Sequence, residues 1–173
     1  MKALSFWKAV TMDKSDLLET VLGLLHDGAI RFCVIGGQAV NAYVEPLVSL
    51  DLDLAVAVEQ VGNVRNLLGE TFNIEQFPHS LNVSAPGSKL RVQIQTDARY
   101  SDFVNRASVR EVLGLALPVA RLEDVLQGKI WAASDPERRA TKRRKDLLDI
   151  ARILEANPQL TSQVPADILQ EIA

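Results

Sequence analysis

The chain has 173 residues, 47% hydrophobic and 24% charged, which is material for one core, or one core with a helical appendage, and not the composition of a disordered chain. A formal net charge of −3, from 19 Lys and Arg against 22 Asp and Glu, excludes a global basic field for nucleic acid but leaves room for a local patch. A single cysteine, Cys33, and two histidines, His26 and His79, exclude a disulfide framework and a cysteine or multi-histidine zinc site. No apolar run approaches a membrane span, and Met1 to Val10 lacks a signal-peptide core, so the expectation is a cytoplasmic protein with no membrane partner.

The first element predicted is a helix from Lys14 to Asp27, with Leu18, Val21, Leu22 and Leu25 on one stripe and Gly28 as a left-handed cap. Phe32 to Ile35 is too short for a helix and ends in Gly36-Gly37, so it reads as a buried strand stopping at a glycine turn. A short helix from Gln38 to Val44 breaks before Pro46. Leu50 to Val58 alternates strictly in its first half, which puts Asp51 and Asp53 on one face, and is continuously apolar in its second. A helix carrying Val61, Val64, Leu67 and Leu68 follows. Strands are then predicted at Phe72 to Phe77, at Leu81 to Ser84 and at Leu90 to Gln95, where Arg91, Gln93 and Gln95 share a face. A last strand over Val112 to Val119 is expected at a sheet edge because of Pro118. From Leu122 onward two apolar stripes at helical spacing predict helices. The order implies an α+β fold, a mixed sheet flanked by helices, with residues 1–120 as the core and 121–173 as a helical part packed on it.

Two carboxylates at i and i+2 of a strand lie on one side, about 6–7 Å apart at the Cα atoms by the rise per residue. They repel each other, and a hard divalent cation relieves that repulsion. The alternative is a solvated pair on an open sheet face. A strand ending in Gly-Gly and opening a helix is a place where backbone N–H groups approach a phosphate closely, and a glycine pair also simply makes turns. The order of strand, Gly-Gly, helix and Asp-x-Asp strand puts a phosphate cradle near a metal-binding pair. Haloacid-dehalogenase-like phosphatases also use Asp-x-Asp, but at the end of a buried strand. Here the apolar run follows the aspartates.

The segment Val34-Ile35-Gly36-Gly37, with Ser49-Leu50-Asp51-Leu52-Asp53-Leu54 after it, resembles the signature of the nucleotidyltransferase superfamily. The C-terminal part, with Lys129, an arginine-rich stretch, Lys145-Asp146 and Asp149, is similar to the AbiEii-like and minimal nucleotidyltransferase branch. The resemblance covers Phe32 to Leu154. It implies that Asp51 and Asp53 ligate Mg²⁺, that Gly36 and Gly37 face a nucleoside triphosphate, and that Lys129 and Lys145 assist nucleotide binding, with Ser49 supporting the site. An acceptor hydroxyl (RNA, protein or small molecule) attacks the α-phosphorus and pyrophosphate leaves. The family's third carboxylate aligns with Gln93, a neutral amide that binds Mg²⁺ weakly and is no base. Asp97 has the right parity but lies roughly 13 Å further along. Two readings follow: a transferase, acting in a toxin–antitoxin or phage-defence pair with a cognate partner protein, or a binding protein on the same scaffold that no longer transfers.

Arg138, Arg139, Lys142, Arg143, Arg144 and Lys145 form a basic tract, either a solvated helix face or a phosphate-contact surface, with Asp146 and Asp149 as internal counter-ions. Cys33 is expected in the core, His79 in a polar loop, and Trp131 at a helix–helix contact.

Overall fold

The computed structural model describes Ser5, Phe6, Ala9 and residues 16–173, so Lys14 and Ser15 of the predicted N-terminal helix lie outside the described residues. The chain runs α1 (Leu17–Asp27), β1 (Phe32–Ile35), α2 (Gly36–Asn41), β2 (Asp51–Val56), α3 (Val61–Gly69), β3 (Asn73–Phe77), β4 (Ser80–Ser84) and β5 (Arg91–Gln95). It continues through α4 (Ser101–Arg106), β6 (Ser108–Val112), β7 (Leu115–Val119), α5 (Leu122–Ser134), α6 (Ala140–Ala156) and α7 (Ala166–Ile172). The seven strands form one mixed sheet in the order β3-β4-β5-β2-β1-β7-β6. The pair β1–β2 is antiparallel, while β2–β5 and β1–β7 are parallel.

Alternation in β2 and β5 decides which side of the sheet is dry. Leu52, Leu54, Val92 and Ile94 are fully buried, joining Leu81 and Val83 of β4, while Asp51, Asp53, Arg91 and Gln93 point the other way. The α1 stripe of Leu17, Leu18, Val21 and Leu25 enters the same continuous aliphatic core, as does Cys33. Helix α5 packs on α6, and both touch α2, which itself lies against β2. The C-terminal helices are thereby held over the start of β2. Trp131 of α5 stacks on Phe103 of α4, centroids 5.7 Å apart, in the helix–helix contact expected of it.

Three expectations are corrected. Gly28 is not left-handed (φ −79°); Ala29 takes that conformation (φ 52°), and Gly28 is small because a Cβ would fall 2.8 Å from Leu67 Cδ2. The single strand over Val112 to Val119 is a hairpin, β6 and β7 turning at Leu113 (φ 55°) and Gly114 (φ 80°), the left-handed pair of a tight hairpin turn. Pro118 therefore lies on an interior strand. It is tolerated because β7 meets β1 only at Val119, and the next donor, Ala120 N, bonds Val34 O at 3.0 Å. Among the described residues no helix is long and apolar enough to cross a membrane.

Candidate functional site

The antiparallel register places Ile35 opposite Asp53, so the residue after it, Gly36, turns beneath the Asp53 carboxylate. Gly36 has φ +66°, and a Cβ there would lie 3.0 Å from both Cβ and Cγ of Asp53 and closer still to its Oδ2. Conformation and space both demand glycine at this position. Gly37 is different: a Cβ there would meet only Asp149 Oδ2 at 3.9 Å and Ser49 Oγ at 4.0 Å, ordinary contacts. Ser49 braces the start of β2, its Oγ accepting from Asp51 N and donating to Asp51 O, both at 3.3 Å.

The parallel register with β5 sets Arg91 beside Asp51 and Gln93 beside Asp53. Arg91 Nε donates to Asp51 Oδ1 at 3.1 Å. Asp53 carries a perturbed charge. Burial pushes its carboxyl up from 3.8 to about 6, Lys129 pulls it back, and Asp51 adds repulsion. Asp97 does not reach this group. It lies past the end of β5 and caps the turn Ala98–Tyr100, accepting from Arg99 N at 2.9 Å and Arg99 Nε at 3.1 Å. Among the described residues no three His, Cys, Asp or Glu side chains gather as a metal cluster. The donor set at this point is two carboxylates and an amide.

Helix α6 and the turn before it face these residues across a cavity of about 200 Å³. Asp51, Asp53, Arg91 and Gln93 line the sheet side, and Arg138, Arg139, Lys142 and Lys145 line the other. Of the basic residues, Arg139, Lys142 and Lys145 have no carboxylate within ion-pair distance among the described residues. Arg143, by contrast, is committed to Glu171 through two bonds of 2.6 and 2.7 Å. A narrower recess of about 80 Å³ runs from Asp53 and Gln93 beneath α5, past Tyr100 and Phe103, to Lys129.

Lys129 is buried, and its ammonium sits between Asp146 Oδ1 and Asp149 Oδ2, each 2.9 Å away. Burial works to lower its pKa, but Asp149 and Asp146 outweigh that and raise it. Arg138 Nε closes on Asp146 Oδ2 at 2.8 Å and Arg152 Nη1 on Asp149 Oδ1 at 2.7 Å. Of the residues singled out in the sequence, Asp51, Asp53, Gln93 and Lys145 thus meet around one space, and Gly36 lines the adjoining recess with Asp53 and Gln93. Gly37 and Ser49 adjoin it, and Lys129 is held within an ion network behind it. Arg91 was not assigned a role from sequence, and Arg138 only as one of the basic tract read as a solvated face or a phosphate-contact surface. The parity of Arg91 with Gln93 was the available signal, and Arg138 had none beyond membership of the basic tract.

The profile of a family described as "Nucleotidyl transferase AbiEii toxin, Type IV TA system" matches residues 28–172. Among solved structures, the chain is similar to ANT(2″)-Ia in complex with adenylyl-2″-tobramycin (TM-score 0.60, 13% identity, covering 91% of this chain and 98% of that one). It is also similar to the lincosamide antibiotic adenylyltransferase LnuA, lincomycin-bound (TM-score 0.54, 14% identity, 81% and 98% covered). A third is an antigenic nucleotidyltransferase-like protein from Paracoccidioides brasiliensis (TM-score 0.50, 15% identity, 90% and 98% covered). At these identities the likeness is one of fold. No curated protein sequence matches this one.

Proposed function

Because the chain belongs to the AbiEii family of nucleotidyltransferases, we propose that Asp51 and Asp53 hold a divalent cation, Mg²⁺ by preference for hard oxygen ligands, and with it a nucleoside triphosphate whose nucleotidyl group passes to an acceptor hydroxyl. The observation that carries this reading is the pairing, across one cavity, of two carboxylates, Asp51 met only by an exposed arginine and Asp53 by no cation at ion-pair distance, with three cations that have no carboxylate partner among the described residues. Charge left uncompensated in a folded protein marks a place where a ligand supplies the compensation. The donor set fits: burial and mutual repulsion disfavour ionised Asp53, and a cation reverses both effects.

In this reading Gly36 keeps the wall beside Asp53 free of any side chain, so that a phosphate can approach the backbone. Arg139, Lys142 and Lys145 receive the phosphate tail and the pyrophosphate that departs when the bond from the α-phosphorus to the bridging oxygen breaks. A bound Mg²⁺ would add charge neutralisation on the same phosphates. Gln93 orients through its amide but takes no proton, so the acceptor hydroxyl gains no base from β5. That residue favours a second reading, a nucleotide-binding protein that works through a cognate partner protein and transfers slowly or not at all.

Calorimetry with Mg²⁺ and each ribonucleoside triphosphate tests the first reading. Binding is expected in wild type and should fall at least tenfold in Asp51→Asn and in Asp53→Asn; unchanged binding in the double variant removes the assignment. Incubating labelled triphosphate with RNA, protein and small-molecule fractions separates the two readings. Gln93→Asp should tighten Mg²⁺ binding about tenfold by adding a charged ligand, and should raise transfer if wild type is a slow enzyme.

A further inference from the structure

Arg91 begins β5, and the parallel register with β2 sets it beside Asp51, two residues before Gln93 meets Asp53. Its side chain is 59% exposed and touches Asp51 through one bond, Nε to Oδ1 at 3.1 Å. Asp51 is its sole ion-pair partner among the described residues, and Arg91 is likewise the sole cation within ion-pair distance of Asp51. Asp53, on the same face, has no cation at that distance among the described residues. One of the two carboxylates is therefore masked by an arginine and the other is not.

The two ends of that ion pair differ in freedom. Asp51 opens a strand whose later residues pair with β1 and which pairs with β5 from Asp51 itself, with Ser49 bracing the turn into it. The Arg91 guanidinium ends a long flexible stem, exposed, at the mouth of the cavity whose far wall carries Arg139, Lys142 and Lys145. An exposed single-bond ion pair adds little to stability and is easily exchanged. A divalent cation on Asp51 would repel a guanidinium 3.1 Å from the same carboxylate. A guanidinium turned loose there has five donors suited to phosphate oxygens.

We propose that Arg91 is an exchangeable counter-ion for Asp51: it holds the carboxylate until a divalent cation takes it, then turns its guanidinium to the phosphates that arrive with that cation. This rests on the reading of Asp51 and Asp53 as cation ligands. It has a consequence that reading lacks. A cation alone binds weakly, because it must displace Arg91 and leave it unpaired. A cation with a triphosphate binds more tightly, because the phosphates give Arg91 a new partner. The coupling is reciprocal, each ligand raising the affinity of the other.

The test uses Mn²⁺ as the probe cation, followed by its electron paramagnetic resonance signal, in wild type, Arg91→Ala and Arg91→Lys. Two titrations are made: Mn²⁺ alone, and a ribonucleoside triphosphate at saturating Mn²⁺. Arg91→Ala should bind Mn²⁺ alone about three- to tenfold more tightly and bind the triphosphate about three- to tenfold more weakly. A lesion that merely loosens β5 lowers both affinities, so the opposite signs identify the exchange, and Arg91→Lys should fall between. If Arg91→Ala leaves Mn²⁺ affinity unchanged or reduced while wild type binds Mn²⁺ and triphosphate through Asp51 and Asp53, the counter-ion proposal is overturned and the ligand assignment stands. If Asp51→Asn and Asp53→Asn bind Mn²⁺ as wild type does, or wild type binds none with or without triphosphate, both are overturned.

Discussion

Two clusters of charge lie within the same helices of this molecule, and they are built in opposite ways. Behind α5, Lys129, Arg138 and Arg152 close on Asp146 and Asp149 in four ion pairs of 2.7–2.9 Å, and every charge has a partner. One turn away, Arg139, Lys142 and Lys145 face Asp51 and Asp53 across open space, and the three cations have no carboxylate partner among the described residues. The residue types are the same. What differs is whether the folded chain completes the set; in the reading proposed above, that separates charge that holds the helices in place from charge kept for a ligand.

The comparison breaks most visibly if Lys129→Ala is tolerated. Removing this ammonium leaves two buried carboxylates facing each other, each keeping one arginine, which costs about 3 kcal/mol, the low end for breaking a buried ion pair. For a chain of this size that lowers the melting temperature by roughly 6–12 °C, readable by circular dichroism. An unchanged melting curve would mean the network holds nothing together.

Asp53 lies at the boundary between the clusters, and its effect has the opposite sign. Its folded pKa of about 6 stands above its ordinary 3.8, so the folded state binds the proton more tightly than the unfolded chain does. Below about pH 4 both states are protonated and nothing is lost; stability then falls as pH rises through this window, and the full cost is present above about pH 6. With chelator present, Asp53→Asn should therefore stabilise the fold by on the order of 1–3 kcal/mol at about pH 8, and the gain should vanish near pH 4. Melts across that range decide it; a gain independent of pH would place its origin elsewhere.

The smallest stability effect belongs to the open cluster. Arg139→Ala, Lys142→Ala and Lys145→Ala together should leave stability within roughly 0.5 kcal/mol per site, as for surface positions without partners. Affinity for a triphosphate should nonetheless fall at least about tenfold with the loss of charged hydrogen bonds, and its salt dependence should flatten. A loss of stability with intact binding would exchange the roles of the two clusters.

The part of this architecture legible in the sequence is the part specified locally. Gly36 is demanded by a turn within one residue of its strand, and Asp51 and Asp53 share a face by parity alone, so β1, α2 and β2 emerge together. The hairpin of β6 and β7 was hidden because Leu113-Gly114 turns inside an apolar stretch, where nothing polar punctuates the run. Helix α4 is a short piece fixed by Phe103 packing against Trp131, a contact between distant segments. The position of Lys129 was harder still. Its spacing from Asp146 and Asp149 matches a recognisable pattern, but its enclosure by both depends on how α5 crosses α6.

Arg152 reaches furthest of all. From the last third of α6 its Nη2 bonds the side chain of Asn41 and the backbone carbonyl of Glu45, 111 and 107 residues earlier, at the end of α2 and the start of the loop that feeds β2. During synthesis, the segment bearing Asp51 and Asp53 leaves the ribosome long before Arg152 is made, by on the order of ten seconds at ordinary rates of elongation. In that interval the loop lacks its Arg152 contacts and the far wall of the cavity does not exist, so a nascent chain carrying both aspartates has no enclosed site. Synthesis of α6 and enclosure of the cavity are thus one late event, and a chain released before α6 would emerge with both aspartates facing open solvent.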